Sequence, residues 1–361
     1  MFVGSELYRR AAYGRNHPLA IARVETTVDL CRTLGWLEGS WRTAPAATVR
    51  ELESFHRADY IEALRSAELN GLTPVAARRT YRIGTIENPI FAGPFERACT
   101  SVGGPILAAS LALEGRVAYH PAGGTHHGRP DRASGFCYFN DPVFAILKCL
   151  DEGLDRILYV DLDAHHGDGV EDAFAREEPV FTISIHEAGR WPFTGRFDDR
   201  RDGRARNLPV PPRLNDSEFA FLMSEAVLPL ATRFRPQAVV VTCGADCLSG
   251  DPLSTMELSN VALWDAASRL ADLCTAAIVL GGGGYNPWTV ARAWAGLWGR
   301  LCDFRLPDIL PGAAQQLMAG LTCDLVDDED VKPEWIGTLA DAPNPGPIRG
   351  EVQAIARHVL G

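Results

Sequence analysis

Arg156-Ile-Leu-Tyr-Val-Asp-Leu-Asp-Ala-His-His-Gly-Asp-Gly169 carries the reading of the fold. Its first half, Arg156 to Val160, is a short apolar run; its second half turns abruptly to carboxylates, imidazoles and glycines. Unbroken apolar runs of about four to six residues suit strands buried on both faces, the habit of parallel sheets. The same pattern recurs along the chain. Arg116-Val-Ala-Tyr119 precedes Pro121-Ala-Gly-Gly-Thr-His-His-Gly128, and Ala238-Val-Val-Val-Thr242 precedes Gly244-Ala-Asp246. Ala276-Ala-Ile-Val-Leu280 precedes Gly281-Gly-Gly-Gly-Tyr285, and Val180-Phe-Thr-Ile-Ser-Ile185 is a further run.

Amphipathic helical stretches lie between the runs, such as Asp216 to Phe234 and Leu258 to Leu273. Asp216-Ser-Glu-Phe and Leu258-Ser-Asn-Val offer capping residues for them. This alternation predicts a doubly wound α/β domain. No low-complexity linker or internal repeat divides the 361 residues, so one domain spanning 1–361 is expected. The segment 303–361 is rich in proline and carries the acidic run Asp327-Asp-Glu-Asp330, and it reads as a solvated periphery on a core of about 10–300.

Composition narrows the function. A net charge of −11 argues against affinity for nucleic acid, whose backbone requires a cationic surface. It suits cationic substrates such as lysine-bearing segments or polyamines. No apolar run is long enough for a membrane span, and the start lacks a basic segment followed by an apolar one. The nine cysteines have no regular spacing and read as reduced thiols of a cytoplasmic protein. Cys243 and Cys247 flank Asp246 without a second pair to complete a thiolate site, and read as packing.

The chemical residues cluster where an open parallel sheet collects them, beyond the carboxyl ends of its strands. Asp163 and His165, two apart at a strand end, are expected to point the same way and share an ion with Asp246. Two carboxylates and one imidazole leave positions open for water and substrate, as a catalytic zinc requires. A water bound there would have its pKa lowered from about 15.7 toward roughly 7. Iron(II) accepts the same donors.

Adjacent His126 and His127 cannot easily both ligate that ion, but they can carry protons beside it. A histidine does this near neutrality when a carboxylate fixes its tautomer. Asp161 is assigned by position to His126, and Asp168 to His127. The glycine run before Tyr285 does not fit Gly-x-Gly-x-x-Gly, whose last glycine would fall at Asn286 or Pro287. It reads instead as a flexible loop that lets the Tyr285 hydroxyl reach a developing oxyanion.

With these motifs in order, and with Ala133-Ser-Gly-Phe-Cys-Tyr-Phe-Asn-Asp141 and Gly244-Ala-Asp-Cys-Leu-Ser-Gly-Asp-Pro252 beside them, the chain resembles the histone deacetylase superfamily, in particular its bacterial acetoin-utilisation-type members. The resemblance implies an arginase-like fold with a central eight-stranded parallel sheet and zinc on Asp163, His165 and Asp246. It implies that His126 and His127 activate water and that Tyr285 polarises the acyl carbonyl. Phe136 and Trp191 would wall an acyl-lysine tunnel, Gly135 would accept a substrate contact, and Arg23 would lie at the tunnel floor. Glu87 stands where related enzymes usually have aspartate and would anchor substrate backbone amides. Asp161, Asp163, His165, Ser184 and Ile185 match a structural potassium site.

The resemblance points to hydrolysis of an acyl group, acetyl first, from protein lysine. Deacetylation of acetylpolyamines is the alternative. Polyamine-selective relatives can place an acidic gatekeeper where Leu253 stands, which disfavours that alternative. An arginase-like ureohydrolase with two manganese ions would need further carboxylates that this chain lacks beside His165 and Asp246. A non-enzymatic acyl-lysine reader would not need every catalytic position filled, as they are here.

Overall fold

The computed structural model of the chain describes residues 1–10, 12–14 and 16–360. Eight strands form one sheet: β1 (Phe2–Gly4), β2 (Trp41–Thr43), β3 (Val117–His120), β4 (Ile157–Asp161), β5 (Val180–Glu187), β6 (Ala205–Val210), β7 (Ala238–Thr242) and β8 (Ala276–Leu280). All pairings are parallel, in the order β2-β1-β3-β8-β7-β4-β5-β6. The five apolar runs are β3, β4, β5, β7 and β8, with boundaries moved by two residues at most.

Burial on both faces explains why those runs are continuous. Leu158 and Val160 pack into one apolar cluster with the Asn260–Ala271 and Pro287–Leu301 helices. Their neighbours Ile157 and Tyr159 pack into another, with the Pro94–Leu113 and Asp141–Asp151 helices. Successive side chains of a strand point to opposite faces, so a doubly covered strand must be apolar at every position.

The three strands without such a run have physical reasons to lack one. β1 and β2 are three residues long, too short to show a period. β6 reads Ala-Arg-Asn-Leu-Pro-Val and lies at a sheet edge, where Pro209 removes no needed ladder bond. The Asp216–Phe234 stretch is helical with a π-helical turn at Met223–Val227, and Asn215, one residue before the expected cap, makes a capping box with Glu218. Ser259 caps the helix starting at Asn260.

The expectation of a solvated C-terminal segment needs correction. Met318, Trp335, Leu339, Val352 and Val359 are buried in the main apolar cluster. The Arg292 guanidinium, fully buried, donates to Asp341 Oδ1 at 2.6 Å and to the Thr338 carbonyl at 2.7 Å. The prolines there punctuate short helices that cover the Pro287–Leu301 helix, and the acidic run lies on their exposed side. No helix among the described residues is long and apolar enough to cross a membrane.

Candidate active site

Strands β3, β8, β7 and β4 are neighbours, so the loops after them meet at one edge of the sheet. The loop after β4 bends at Asp163–His165, so the extended geometry expected there is not what aligns them. His165 N–H donates to Asp163 Oδ1 at 2.9 Å, a local turn that swings both side chains together, and Ala164 N–H donates to Asp246 Oδ1 at 3.0 Å. Asp163, His165 and Asp246 each offer a ligand atom, and these lie within 4.8 Å of one another. His165 Nδ1 is 2.9 Å from Asp246 Oδ2 and 3.2 Å from Asp163 Oδ1.

These groups fit a divalent cation. Both carboxylates are buried, and among the described residues neither makes an ion pair with an arginine or lysine. Burial, then the charge of Asp163, raises the pKa of Asp246. Burial opposes protonation of His165, but the two carboxylates bonded to it push its pKa up to about 10. A site that draws positive charge this strongly, with N and O donors converging, suits a metal.

His126 and His127 lie with ring centroids 3.9 Å apart. His126 Nδ1 is 2.6 Å from Asp161 Oδ2, and His127 Nδ1 is 2.8 Å from Asp168 Oδ1. Their surroundings split the pair. Burial works to lower His126, yet the charges of Asp161 and Asp163 raise it to about 9. Burial, then the charge of His126, lowers His127 to about 3 despite Asp168. Near neutral pH the pair holds about one proton.

Tyr285 is buried, and burial raises its phenol well above the ordinary value, so it remains a donor across the neutral range. The glycines before it have a different purpose from the flexibility expected of them. A methyl on Gly283 would sit 2.1 Å from Asp246 Oδ2, and one on Gly281 would sit 2.1 Å from the Pro121 carbonyl oxygen. Bare backbone is what lets Gly283 N–H reach Asp163 Oδ2 at 2.6 Å.

A cleft of about 550 Å³ leads to these groups, with Phe136, Trp191, Glu87 and Leu253 on its walls. Gly135 and Phe136 both have left-handed backbone, φ 55° and 66°. A side chain at Gly135 would collide with the Trp191 and His127 rings. Glu87 Oε1 accepts the Gly135 N–H at 2.7 Å, so in this structure it braces the wall. The Gly135 carbonyl accepts from Cys137 Sγ at 3.2 Å. Arg23 lies beneath, its guanidinium 4.9 Å over the Trp294 ring and bonded to the Gly282 carbonyl, beside an inner cavity of about 120 Å³. Ser184 and Ile185 lie on β5, with Ser184 paired across from Asp161, and Ser184 Oγ is 2.8 Å from His186 Nδ1.

Several supporting residues carry no role in the sequence reading. Asp141 accepts Gly124 N–H at 2.9 Å, Thr125 N–H at 2.6 Å and the Thr125 hydroxyl, shaping the turn before His126. Asn140 Nδ2 donates to the carbonyls of His126 and Gly128 at 3.0 and 2.9 Å. Both stand in the Asn140-Asp141 pair of a quoted motif, and polar residues opening an apolar helix were the available signal. Tyr159 donates to Asp161 Oδ2 at 2.7 Å from within a strand, where nothing in the sequence marks it.

The histone deacetylase domain model matches residues 17–301. The chain belongs to the histone deacetylase family, whose members hydrolyse acetyl amides. It is 34% identical over 353 residues to the acetoin utilization protein AcuC of Bacillus subtilis, covering 93% of this chain and 85% of that protein. It is 35% identical over 274 residues to histone deacetylase 8 of Xenopus laevis, covering 73% of this chain and 84% of that protein. The crystal structure of a histone deacetylase homologue from Aquifex aeolicus superposes with a TM-score of 0.95 at 35% identity, over 100% of this chain and 99% of that one.

Proposed function

We propose that the protein is a zinc-dependent deacetylase of lysine side chains in proteins or peptides. The observation that carries this reading is the convergence of a buried Asp163-His165-Asp246 donor set with two carboxylate-backed histidines and a buried phenol. Asp163, His165 and Asp246 would hold a divalent cation, which would supply Lewis acidity toward the acyl carbonyl and water. Neutral His127, its Nδ1 occupied by Asp168, accepts the proton of the attacking water at Nε2. His126 carries the pair's proton toward the leaving amine while Asp161 balances its charge. The Tyr285 hydroxyl donates to the oxygen that becomes negative, and Phe136 and Trp191 exclude water from the lysine methylenes.

The binding roles of Gly135, Glu87, Leu253 and Arg23 belong to the same reading. So does a structural potassium ion among Asp161, Asp163, His165, Ser184 and Ile185, supported by the pairing of Asp161 with Ser184. Nine unpaired cysteines support a reducing compartment, the cytoplasm. The test compares kcat/KM for an acetyl-lysine peptide and acetylputrescine, with metal analysis of protein purified without chelator. The peptide is expected to be preferred, with one zinc per chain. Preference for acetylputrescine would make the protein a polyamine deacetylase, and iron in place of zinc would change the metal alone.

A further inference from the structure

Of the loops that build the cleft, those after β5, β7 and β8 are joined by one chain of polar contacts. Asp251, in the loop after β7, is 7% exposed and directs its two oxygens at two backbones. Oδ1 accepts Leu253 N–H at 2.9 Å, and Oδ2 accepts Tyr285 N–H, from the loop after β8, at 2.7 Å. The other end of Leu253 is held as well: its carbonyl accepts from Arg190 Nη1 at 2.6 Å. Arg190 belongs to the loop after β5 and precedes the wall residue Trp191. Its Nη2 donates to Glu187 Oε1 at 2.7 Å, and Glu187 also accepts from the Thr255 N–H and hydroxyl, both at 2.8 Å.

We propose that Asp251 and the Glu187–Arg190 pair are positioning residues that hold the Tyr285 donor and the cleft wall at Leu253 and Trp191 as one unit. None of the three charged side chains is bonded to a group at the reacting atoms by its own tip; Asp251 acts on the backbone of Tyr285 and Leu253, and Arg190, braced by Glu187, acts on that of Leu253. A carboxylate whose acceptors are both taken by backbone N–H groups of separate loops fixes their spacing, because buried amides left unpaired are costly. Displacement of an oriented donor by about 1 Å can cost as much as a hundredfold in rate. The wall and the donor therefore move together, and acyl-chain selectivity is set partly by the residues that fix the wall's backbone: Asp251 behind the cleft and the Glu187–Arg190 pair at its margin.

The inference rests on the deacetylase reading, and the experiment separates the two. Wild type, Asp251→Asn, Tyr285→Phe and their double variant are assayed with acetyl- and butyryl-lysine peptides, as are Arg190→Ala and Arg190→Lys. Asp251→Asn can accept only one of the two amides. It should lower kcat roughly tenfold, leave KM within about threefold and bound metal unchanged, and add no further loss in the Tyr285→Phe background. Arg190→Ala should lower the acetyl-to-butyryl ratio of kcat/KM by about fivefold or more, with Arg190→Lys restoring part of it. An equal loss from Asp251→Asn with and without the Tyr285 hydroxyl, or an unmoved acyl ratio in Arg190→Ala, overturns the inference while leaving the deacetylase reading intact. Wild-type protein without turnover on any acylated amine removes both.

Discussion

At the residue scale, the chemistry rests on side chains whose ionisation the fold decides. His126 and His127 are neighbours of the same type, yet their environments move them in opposite directions, His126 up, against its burial, through the charges of Asp161 and Asp163 and His127 down through burial and the charge of His126. Tyr285 supplies a donor that matters only as charge develops on the acyl oxygen. Replacing it with Phe should lower kcat by roughly a hundredfold or more while leaving bound metal unchanged; full activity on an acetyl-lysine peptide would end the oxyanion assignment. Gly283→Ala should act through the metal site instead. Its methyl meets Asp246 Oδ2 at 2.1 Å, so metal content and turnover should fall together in a metal assay run beside kinetics. Which residues hold chemistry was legible because carboxylates and imidazoles followed apolar runs. How Asp163 and His165 converge was not, since it depends on a bend whose bonds reach to Asp246.

At the scale of elements, the loop after β3 illustrates how a site is supported from behind. His56 Nδ1 is 2.9 Å from the Arg129 carbonyl, and its Nε2 accepts Asn140 N–H at 3.2 Å. That pairing requires a neutral ring, and burial lowers its pKa to about 3. A depressed histidine binds its proton more readily unfolded, so its stabilising contribution is whole above 6.5 and is lost as pH falls toward 3. Between pH 7 and pH 5 this group should cost about 2 kcal/mol of stability. His56→Gln should flatten that part of the profile when urea midpoints are compared at the two pH values. Asp141→Ala would leave two backbone amides of the same loop without their acceptor, at a cost of about 2–4 kcal/mol. An unchanged urea midpoint would show that the turn before His126 stands without it.

At the scale of the whole molecule, the C-terminal segment is part of the core through Arg292 and Asp341. Asp341→Ala strands a fully buried guanidinium and should destabilise the protein by about 3–5 kcal/mol. The double change Arg292→Met with Asp341→Leu should restore much of this in the same denaturation assay, because it removes the charge rather than its partner. The sheet was readable from sequence wherever strands are buried on both faces, because continuous apolar runs have no other simple use. It was unreadable at β1, β2 and β6, where length or an edge position removes that pressure. By itself, the order of residues determined the class of fold, the donor types and their place beyond strand ends, since each follows from local periodicity and chemistry. Only the tertiary structure decided that 303–361 contributes side chains to the core, that glycines admit backbone to the carboxylates, and that Asp251 ties Leu253 to Tyr285. Those are contacts between segments far apart in the chain, and no local pattern encodes which distant group will come to lie within a hydrogen bond.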